Sequence, residues 1–152
     1  MQLTSSAFTA GRTIPSEYTC EGENRSPALA WRGVPAQARS LALVVDDPDA
    51  PRRRWVHWVL YDLPPTADGL PAAVPPDAER SDGARQGRND FGQLGYGGPC
   101  PPPGPAHRYV FTLFALDVSL GLPAGATRAE VSRAMEGHVL ATASLIGTFG
   151  RQ

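Results

Sequence analysis

The chain contains no lysine, and all 14 of its basic residues are arginine. This absence excludes Schiff-base chemistry and lysine nucleophiles, and it is better explained by a genome with biased base composition than by function. The formal net charge is only -1. A chain so close to neutrality does not have the broad basic surface with which proteins bind nucleic acid or anionic membranes.

Cysteine is scarce and long apolar runs are absent. The two cysteines, Cys20 and Cys100, do not have the spacing of metal ligands. We expect two free thiols, although a disulfide between them stays open and would be unusual in a reducing cytoplasm. No stretch approaches the ~20 apolar residues of a membrane span, and the N-terminus lacks the pattern of a secretory signal. The expected location is therefore the cytoplasm.

The length and composition indicate one domain over residues 1–152. With 152 residues and 41% hydrophobic side chains, the chain can fill a core without a metal ion or a disulfide. Glycine and proline number 16 each and are concentrated in the middle of the chain. We therefore expect many ordered loops, with residues 64–106 forming a surface wrapping that has at most short strands and ends in a rigid turn at 97–105.

Hydrophobic patterning predicts a mainly β fold. Long apolar or alternating runs predict strands at 39–46, 55–62 and 107–117, and shorter ones at 2–8 and 28–32. In the second run, strict alternation would separate two faces, both of them buried. The residues predicted for one face are Trp55, His57, Val59 and Tyr61, and those for the other are Val56, Trp58 and Leu60.

The end of the chain changes to a helical period. Thr127 and Glu130 have the spacing of a capping box, which predicts that a helix begins there. We expect Gly137 to separate this helix from a second short helix over residues 138–149. The predicted apolar stripe consists of Val131, Ala134, Met135, His138, Val139 and Thr142. On this interpretation His138 has a structural role.

Polar residues at strand ends are the candidates for chemistry. Pro48 and Pro51 stiffen the acidic turn that holds Asp47 and Asp49. His57 lies within an apolar strand and, taken alone, is more typical of a core histidine than of a site residue. His107 opens a strand and is equally typical of both. Two imidazoles beside a carboxylate would accept phosphate or carboxylate groups near neutral pH.

Other kinds of site fit less well. A metal site built from Asp46, Asp47, Asp49 and His57 lacks any pair of histidines with metal-ligand spacing. The chain has no G-x-S-x-G elbow, no P-loop and no dinucleotide-binding glycine motif. The basic run 52–54 is most simply a solvated loop, although it could recruit an anionic headgroup or a partner.

Four segments together resemble a known family. They are SLALVVDDPDAP, WVHWVLYDLP, GYGGPCPPPGPAHRYVFTLFAL and GHVLATASLIGTFGR. In this order they resemble the phosphatidylethanolamine-binding proteins (PEBP), in particular their bacterial, Raf kinase inhibitor-like branch, and the likeness runs from Ser6 to Arg151. It implies an antiparallel β-sandwich with Greek-key topology, a large central sheet, a smaller sheet and short C-terminal helices.

The resemblance also implies a site. It would be a pocket for phosphate, phospholipid headgroup-like anions or acetate-like anions, working without a cofactor and without catalysis. In this role His57 and His107 would donate hydrogen bonds, Asp47 would orient an imidazole, and Gly98 would let the backbone approach the ligand. The implied ligand-binding residues are Asp47, Asp49, Trp55, His57, Tyr96, Gly98, Pro99, His107 and Tyr109.

The resemblance further implies a homodimer, with Cys20 and Cys100 close together near the pocket rim. Two other functions stay open. The chain could inhibit a protease or a kinase through the pocket mouth, or it could hydrolyse esters or phosphoesters with Asp47 and His57, for which no nucleophile with a clear base is visible. Animal members of that family have a longer segment where this chain has only residues 52–54, and a C-terminal helix for which no pattern is evident in this sequence.

Overall fold

The computed structural model describes all 152 residues. It contains eight strands, one α-helix and a 3-10 turn at Ser16–Tyr18. The strands are β1 (Gln2–Thr4), β2 (Leu29–Arg32), β3 (Ser40–Asp47), β4 (Trp55–Leu63), β5 (Gly69–Leu70), β6 (Arg85–Gln86), β7 (His107–Leu116) and β8 (Val139–Phe149), and the helix is α1 (Arg128–Met135). None of the helices has the length and apolar character needed to cross a bilayer.

The strands form two antiparallel sheets. The larger sheet has the order β6-β4-β3-β7-β8 and the smaller one has the order β1-β2-β5. The chain passes from β4 to β7 across β3, so the strand order is non-sequential, as in Greek-key proteins. The predicted mainly β fold with one large and one small sheet is confirmed.

Both faces of the large sheet are covered, which explains why its central strands are apolar throughout. All eight residues of β3 are buried. On one face, Leu43, Trp58 and Phe111 pack in a core shared with Leu3 and Trp31 of the small sheet. On the other face, a smaller core lies under α1 and includes Val59, Tyr61, Val131 and Met135. A strand with two buried faces has no polar side to alternate with.

The predicted alternation in β4 is wrong before Trp58. Val56 packs with Val59 and Tyr61 in the core under α1. His57, predicted to share their face, instead contacts Tyr109 of the core between the sheets, in which Trp58 also lies. The cause is a shift in strand register, because Val45 opposes Trp58 while Asp46 opposes Val56. His57 is therefore the extra residue of a β-bulge, a feature that redirects a side chain and is frequent next to functional sites.

The predicted second C-terminal helix is also wrong, because residues 139–149 form strand β8. The strand pairs with β7 along almost its whole length, and Ala143, Leu145 and Phe149 are buried at alternate positions. The first helix does begin at the capping box of Thr127 and Glu130. His138 follows this helix, and its Nδ1 is bonded to Asp117 Oδ1 at 2.8 Å. Strand pairing in the tertiary structure thus overrides a weak helical period.

The loop segment 64–106 is ordered by buried polar contacts. Gln86 is fully buried, its Oε1 accepts a hydrogen bond from Trp58 Nε1 at 2.8 Å, and its Nε2 donates to the carbonyl oxygens of Pro75 and Asp77. These bonds attach the wrapping segment to the middle of β4. A buried amide that is fully hydrogen-bonded fixes a segment with few apolar residues.

The expectation of two free thiols is wrong, because Cys20 and Cys100 form a disulfide. The bond connects two segments that already meet through backbone groups, since the Cys20 N–H donates to the Pro99 carbonyl at 3.0 Å. The two cysteines are 80 positions apart, so no local sequence pattern indicates that they lie close together. Disulfides persist mainly in oxidising surroundings, so this bond and the expected cytoplasmic location favour different compartments.

Candidate functional site

A small cavity opens at one edge of the large sheet, where β3 ends and β4 and β7 begin. These three strand ends meet because Asp47 pairs with Trp55 across β3 and β4, and Asp46 pairs with Val110 across β3 and β7. The proline-rich turn after residue 98 forms one wall. The cavity has a volume of about 200 Å³ and is lined by Asp47, Ala50, Pro51, Trp55, His57, Phe91, Cys100, Pro101, Pro102, His107 and Tyr109.

The cavity brings together five of the nine residues that the sequence suggested as ligand-binding. They are Asp47, Trp55, His57, His107 and Tyr109. These residues lie between positions 47 and 109 of the sequence, but antiparallel pairing of β3 with β4 and β7 places them at one edge of the sheet. The two imidazoles thus share one open cavity with the carboxylate of Asp47, the first aspartate of the DPDAP turn.

His107 is oriented by Asp47. Its Nδ1 donates to Asp47 Oδ2 at 2.6 Å, while Asp47 Oδ1 accepts the backbone N–H of Asp49 at 2.7 Å. Both carboxylate oxygens are therefore engaged and the carboxylate is held in one orientation. With the proton on Nδ1, the remaining ring nitrogen, Nε2, has no protein partner. Protonation of the ring would convert this Nε2 into a donor.

His57 is fixed in the same manner by a backbone carbonyl. Its Nδ1 donates to Gly97 O at 2.6 Å, which leaves Nε2 without a protein partner. The residue is only 3% exposed. Burial lowers the pKa of His57 below its ordinary value, and the Gly97 carbonyl and the carboxylates of Asp47 and Asp46 oppose this shift only in part. The imidazole is therefore neutral at pH 7 in the absence of an anion.

Tyr109 supplies a third polar group without a partner. The residue is 1% exposed, and its hydroxyl is buried with no hydrogen-bond partner in the protein. Burial raises the pKa of Tyr109, and the charges of Asp47 and Asp49 add to this effect, so the hydroxyl stays protonated. Its ring stands edge-on to His57, with ring centroids 5.2 Å apart. A buried hydroxyl without a partner costs free energy, and at a residue that lines the cavity a ligand oxygen could satisfy it.

The mouth of the cavity is apolar and aromatic. Phe91 is 43% exposed, and its ring stands edge-on to Trp55 and His57 at centroid distances of 5.6 and 5.4 Å. Sequence reasoning did not assign Phe91 to the site, although an aromatic residue in a polar loop segment was a usable signal. Of the other lining residues, Cys100 was expected near the pocket rim, Pro101 and Pro102 belong to the predicted rigid turn at 97–105, and Ala50 and Pro51 were not assigned to the site.

Two suggested site residues with ionisable side chains lie outside the cavity lining. Asp49 accepts hydrogen bonds from the Arg108 backbone and from its guanidinium, at 2.9 to 3.0 Å. The side-chain hydrogen bonds from Arg108 are the main cause that lowers the pKa of Asp49 to about 2. Tyr96 instead donates its hydroxyl to the Tyr18 carbonyl at 2.6 Å. Both residues brace segments next to the cavity.

Gly98 and Pro99 also lie outside the lining. The Gly98 N–H donates to Asn24 Oδ1 at 2.9 Å, so it is already engaged within the protein. A Cβ at this position would overlap Asn24 Oδ1 and the Tyr18 carbonyl. The glycine therefore permits two protein segments to approach each other closely, behind the wall that Cys100 and Pro101 present to the cavity.

Comparison with known proteins agrees with this architecture. Residues 4–150 match the phosphatidylethanolamine-binding protein family. A UPF0098 protein of Methanothermobacter thermautotrophicus is 54% identical over 151 residues, covering 99% of both chains. A UPF0098 protein of Aquifex aeolicus is 48% identical over 153 residues, covering 99% of this chain and 89% of the relative.

Solved structures show the same fold over the same length. The PEBP homologue CT736 of Chlamydia trachomatis superposes with a TM-score of 0.90 at 43% identity, covering 99% of this chain and 97% of that one. YbcL of Escherichia coli, described as a member of the mammalian PEBP family, has a TM-score of 0.89 at 35% identity, with 99% and 98% covered. The sheets, the coverage and the family match together establish that this chain belongs to the phosphatidylethanolamine-binding protein family.

Proposed function

We propose that the cavity binds a small anion, such as the phosphate of a phospholipid headgroup-like molecule or a carboxylate. The observation that carries this proposal is that His57, His107 and Tyr109 line one cavity while His57 Nε2, His107 Nε2 and the Tyr109 hydroxyl have no protein partner. Three potential donors around one small space suit an anion with several oxygens, because charge-assisted hydrogen bonds are the stronger ones.

The size of the cavity limits what can enter. At about 200 Å³ it is smaller than the ~300–1,000 Å³ typical of drug-sized ligands. We infer that only the charged group and a few neighbouring atoms are enclosed. Any apolar substituent would extend past Trp55 and the exposed ring of Phe91.

Anion binding should strengthen as the pH falls. Burial lowers the pKa of His57, so its charged form is costly in the empty cavity, and a bound anion would favour that form. The nearby negative groups are Asp47, which is bonded to His107, and the buried Asp46. An anionic ligand would lie beside the negative charge of Asp47. Protonation of an imidazole is therefore needed to offset the Asp47 charge before the ligand can bind well.

We further propose that the cavity binds its ligand without turnover. Cys100 is held in the disulfide, and the raised pKa of Tyr109 makes its phenol a poor nucleophile. Both histidines commit Nδ1 to fixed acceptors and leave Nε2 free, as in a general base, but the cavity lining contains no serine, threonine or free thiol for such a base to activate. A screen of chromogenic esters and phosphate esters is expected to give no turnover above buffer, and turnover that His57→Ala abolishes would reverse this proposal.

Calorimetric titration with O-phosphorylethanolamine at about pH 5.5 and about pH 7.5, on either side of the ordinary histidine pKa, tests the binding site. Wild type should bind more tightly at the lower pH, and His57→Ala and His107→Ala should lose most of the binding heat. His138→Ala is the matched control, because His138 is bonded to Asp117 away from the cavity. Equal heats for wild type and His57→Ala would remove the proposed site.

A further inference from the structure

A second cleft lies beside the N-terminus of α1 and has no residue in common with the histidine cavity. Its volume is about 480 Å³, more than twice that of the cavity. We call it the basic cleft. It is lined by Arg53, Arg54, Val56, Arg88, Asn89, Asp90, Thr127, Arg128 and Ala129.

The basic cleft has an excess of positive charge in a chain whose net charge is -1. Its four guanidinium groups face three carboxylates, because the Glu130 carboxylate also lies at the cleft, where it accepts hydrogen bonds from Thr127. Arg54 and Arg128 contact the buried Asp46 at 2.7 and 3.5 Å, and Arg53 contacts Asp90 at 3.4 Å. A surplus of one positive charge is therefore left in a concave surface, where the field it produces is focused.

Several N–H groups at the basic cleft have no acceptor in the protein. Arg88 is exposed and forms no ion pair, and its guanidinium donates only to the Gly92 carbonyl, at 2.7 Å. The Nε of Arg128 faces Asp46 Oδ2 at 3.5 Å and is buried, whereas 38% of the whole Arg128 side chain is exposed.

The helix adds to this set of donors. The capping box uses the backbone N–H groups of Thr127 and Glu130. The N–H groups of Arg128 and Ala129 in the first turn have no acceptor among the protein's hydrogen bonds. These amides carry the positive end of the helix dipole and lie at the residues that line the basic cleft.

We propose that the basic cleft is a second anion site, specific for a phosphate monoester. A phosphate monoester carries about -1.5 to -2 charge near pH 7, so it would neutralise the surplus charge of the cleft and accept hydrogen bonds from its free N–H groups. A guanidinium group can donate two parallel hydrogen bonds to the oxygens of one phosphate. A carboxylate, with one charge and two oxygens, would leave some of the N–H donors of the cleft unused. The monoester could be a small phosphate or a phosphorylated side chain, since both present the same group.

The two sites adjoin but can be observed separately. The Arg53 guanidinium lies over the ring of Trp55 at 5.3 Å, and Trp55 lines the histidine cavity. The basic cleft is followed through the side-chain N–H signals of Arg88 and Arg128 in nitrogen-15 NMR spectra. The cavity is followed through the ring signals of His57 and His107 in the same samples.

The test is a titration of the wild-type protein with inorganic phosphate, and in parallel with a phosphoserine peptide and its unphosphorylated form. The Arg88 and Arg128 signals should move in a saturable manner, and added salt should weaken the effect. Arg88→Gln should raise the dissociation constant about tenfold or more through the loss of charge-assisted hydrogen bonds. Arg133→Gln is the matched control, because Arg133 is exposed on the same helix and outside the basic cleft.

The outcomes separate the two sites and the two sources of phosphate. A peptide that binds more tightly than inorganic phosphate supports a phosphorylated protein as the ligand, and equal affinity supports a small phosphate. Histidine signals that move while the arginine signals stay still would overturn the basic cleft and leave the cavity intact. Equal phosphate affinity for Arg88→Gln and Arg133→Gln would overturn it too. Arg88→Lys keeps the charge, so its affinity should lie between those of wild type and Arg88→Gln.

Discussion

Removal of the Cys20–Cys100 disulfide should destabilise the protein without changing its fold. The bond joins residues separated by 80 positions. A crosslink over a loop of this length reduces the conformational entropy of the unfolded chain, and in the chain-entropy relation this amounts to about 4.5 kcal/mol at 25 °C. We therefore expect the double variant Cys20→Ser/Cys100→Ser to lose up to about that free energy of unfolding.

The folded state should keep its local geometry because other contacts connect the same segments. The Cys20 N–H still donates to the Pro99 carbonyl at 3.0 Å, and the Gly98 N–H still donates to Asn24 Oδ1 at 2.9 Å. The perturbation therefore acts mainly on the unfolded chain. For a protein of this size, the expected loss corresponds to a fall in Tm of roughly 10 to 20 °C.

Urea unfolding, followed by the fluorescence of the three tryptophans, measures the free energy of unfolding and the m-value. The m-value should rise in the variant, because an unfolded chain without the crosslink exposes more surface. Wild type in a reducing agent should reproduce the variant, which controls for the serine side chains. A loss below about 1 kcal/mol with an unchanged m-value would refute the loop-entropy reasoning.

Three further predictions follow from single residues. Burial lowers the pKa of His57, so the unfolded chain takes up its proton first. The stabilisation from the neutral ring is complete above the ordinary histidine pKa of about 6.5 and declines as the pH falls below that value. His57→Gln should therefore reduce the pH dependence of the free energy of unfolding, measured by urea unfolding at several pH values. An identical pH dependence in wild type and variant would contradict this prediction. Tyr109→Phe removes a hydroxyl without a partner, so calorimetry should show weaker anion binding while the free energy of unfolding stays the same or rises by up to about 1 kcal/mol; a clear loss of stability would show that the hydroxyl is bonded. Gly98→Ala places a Cβ against Asn24 and the Tyr18 carbonyl and should cost about 1–3 kcal/mol in thermal unfolding, whereas a neutral result would mean that the two segments can separate.

Features with a local cause were predictable from the sequence. Strands β3, β4 and β7 lie within one or two residues of their predicted positions because each is a long apolar run bounded by turn residues. Helix α1 begins at the Thr127 and Glu130 capping box, as the spacing indicated. The convergence of His57, His107 and Asp47 in one cavity was expected from the family resemblance, and the antiparallel pairing of the three strands accounts for it.

Features that depend on distant partners were not predictable in this way. Residues 139–149 have a weak helical period, but β7 offers a complete edge for pairing, so they form β8. The bulge at His57 follows from the register between β3 and β4 and reverses the side of Val56. Four residues that the sequence suggested as ligand-binding do not line the cavity, because each is hydrogen-bonded to another protein segment. They are Asp49, Tyr96, Gly98 and Pro99.

The amino-acid sequence by itself determined the elements whose energetics are local: the apolar strands, the proline-stiffened turns, the helix cap and the set of polar residues at strand ends. Only the tertiary structure decided which of those polar groups have no protein partner, whether the two thiols are bonded, and where arginines accumulate around α1. The physical reason is that burial, hydrogen-bond satisfaction and charge balance are sums over neighbours in space. Residues as distant as Cys20 and Cys100 become such neighbours only when the sheets have assembled.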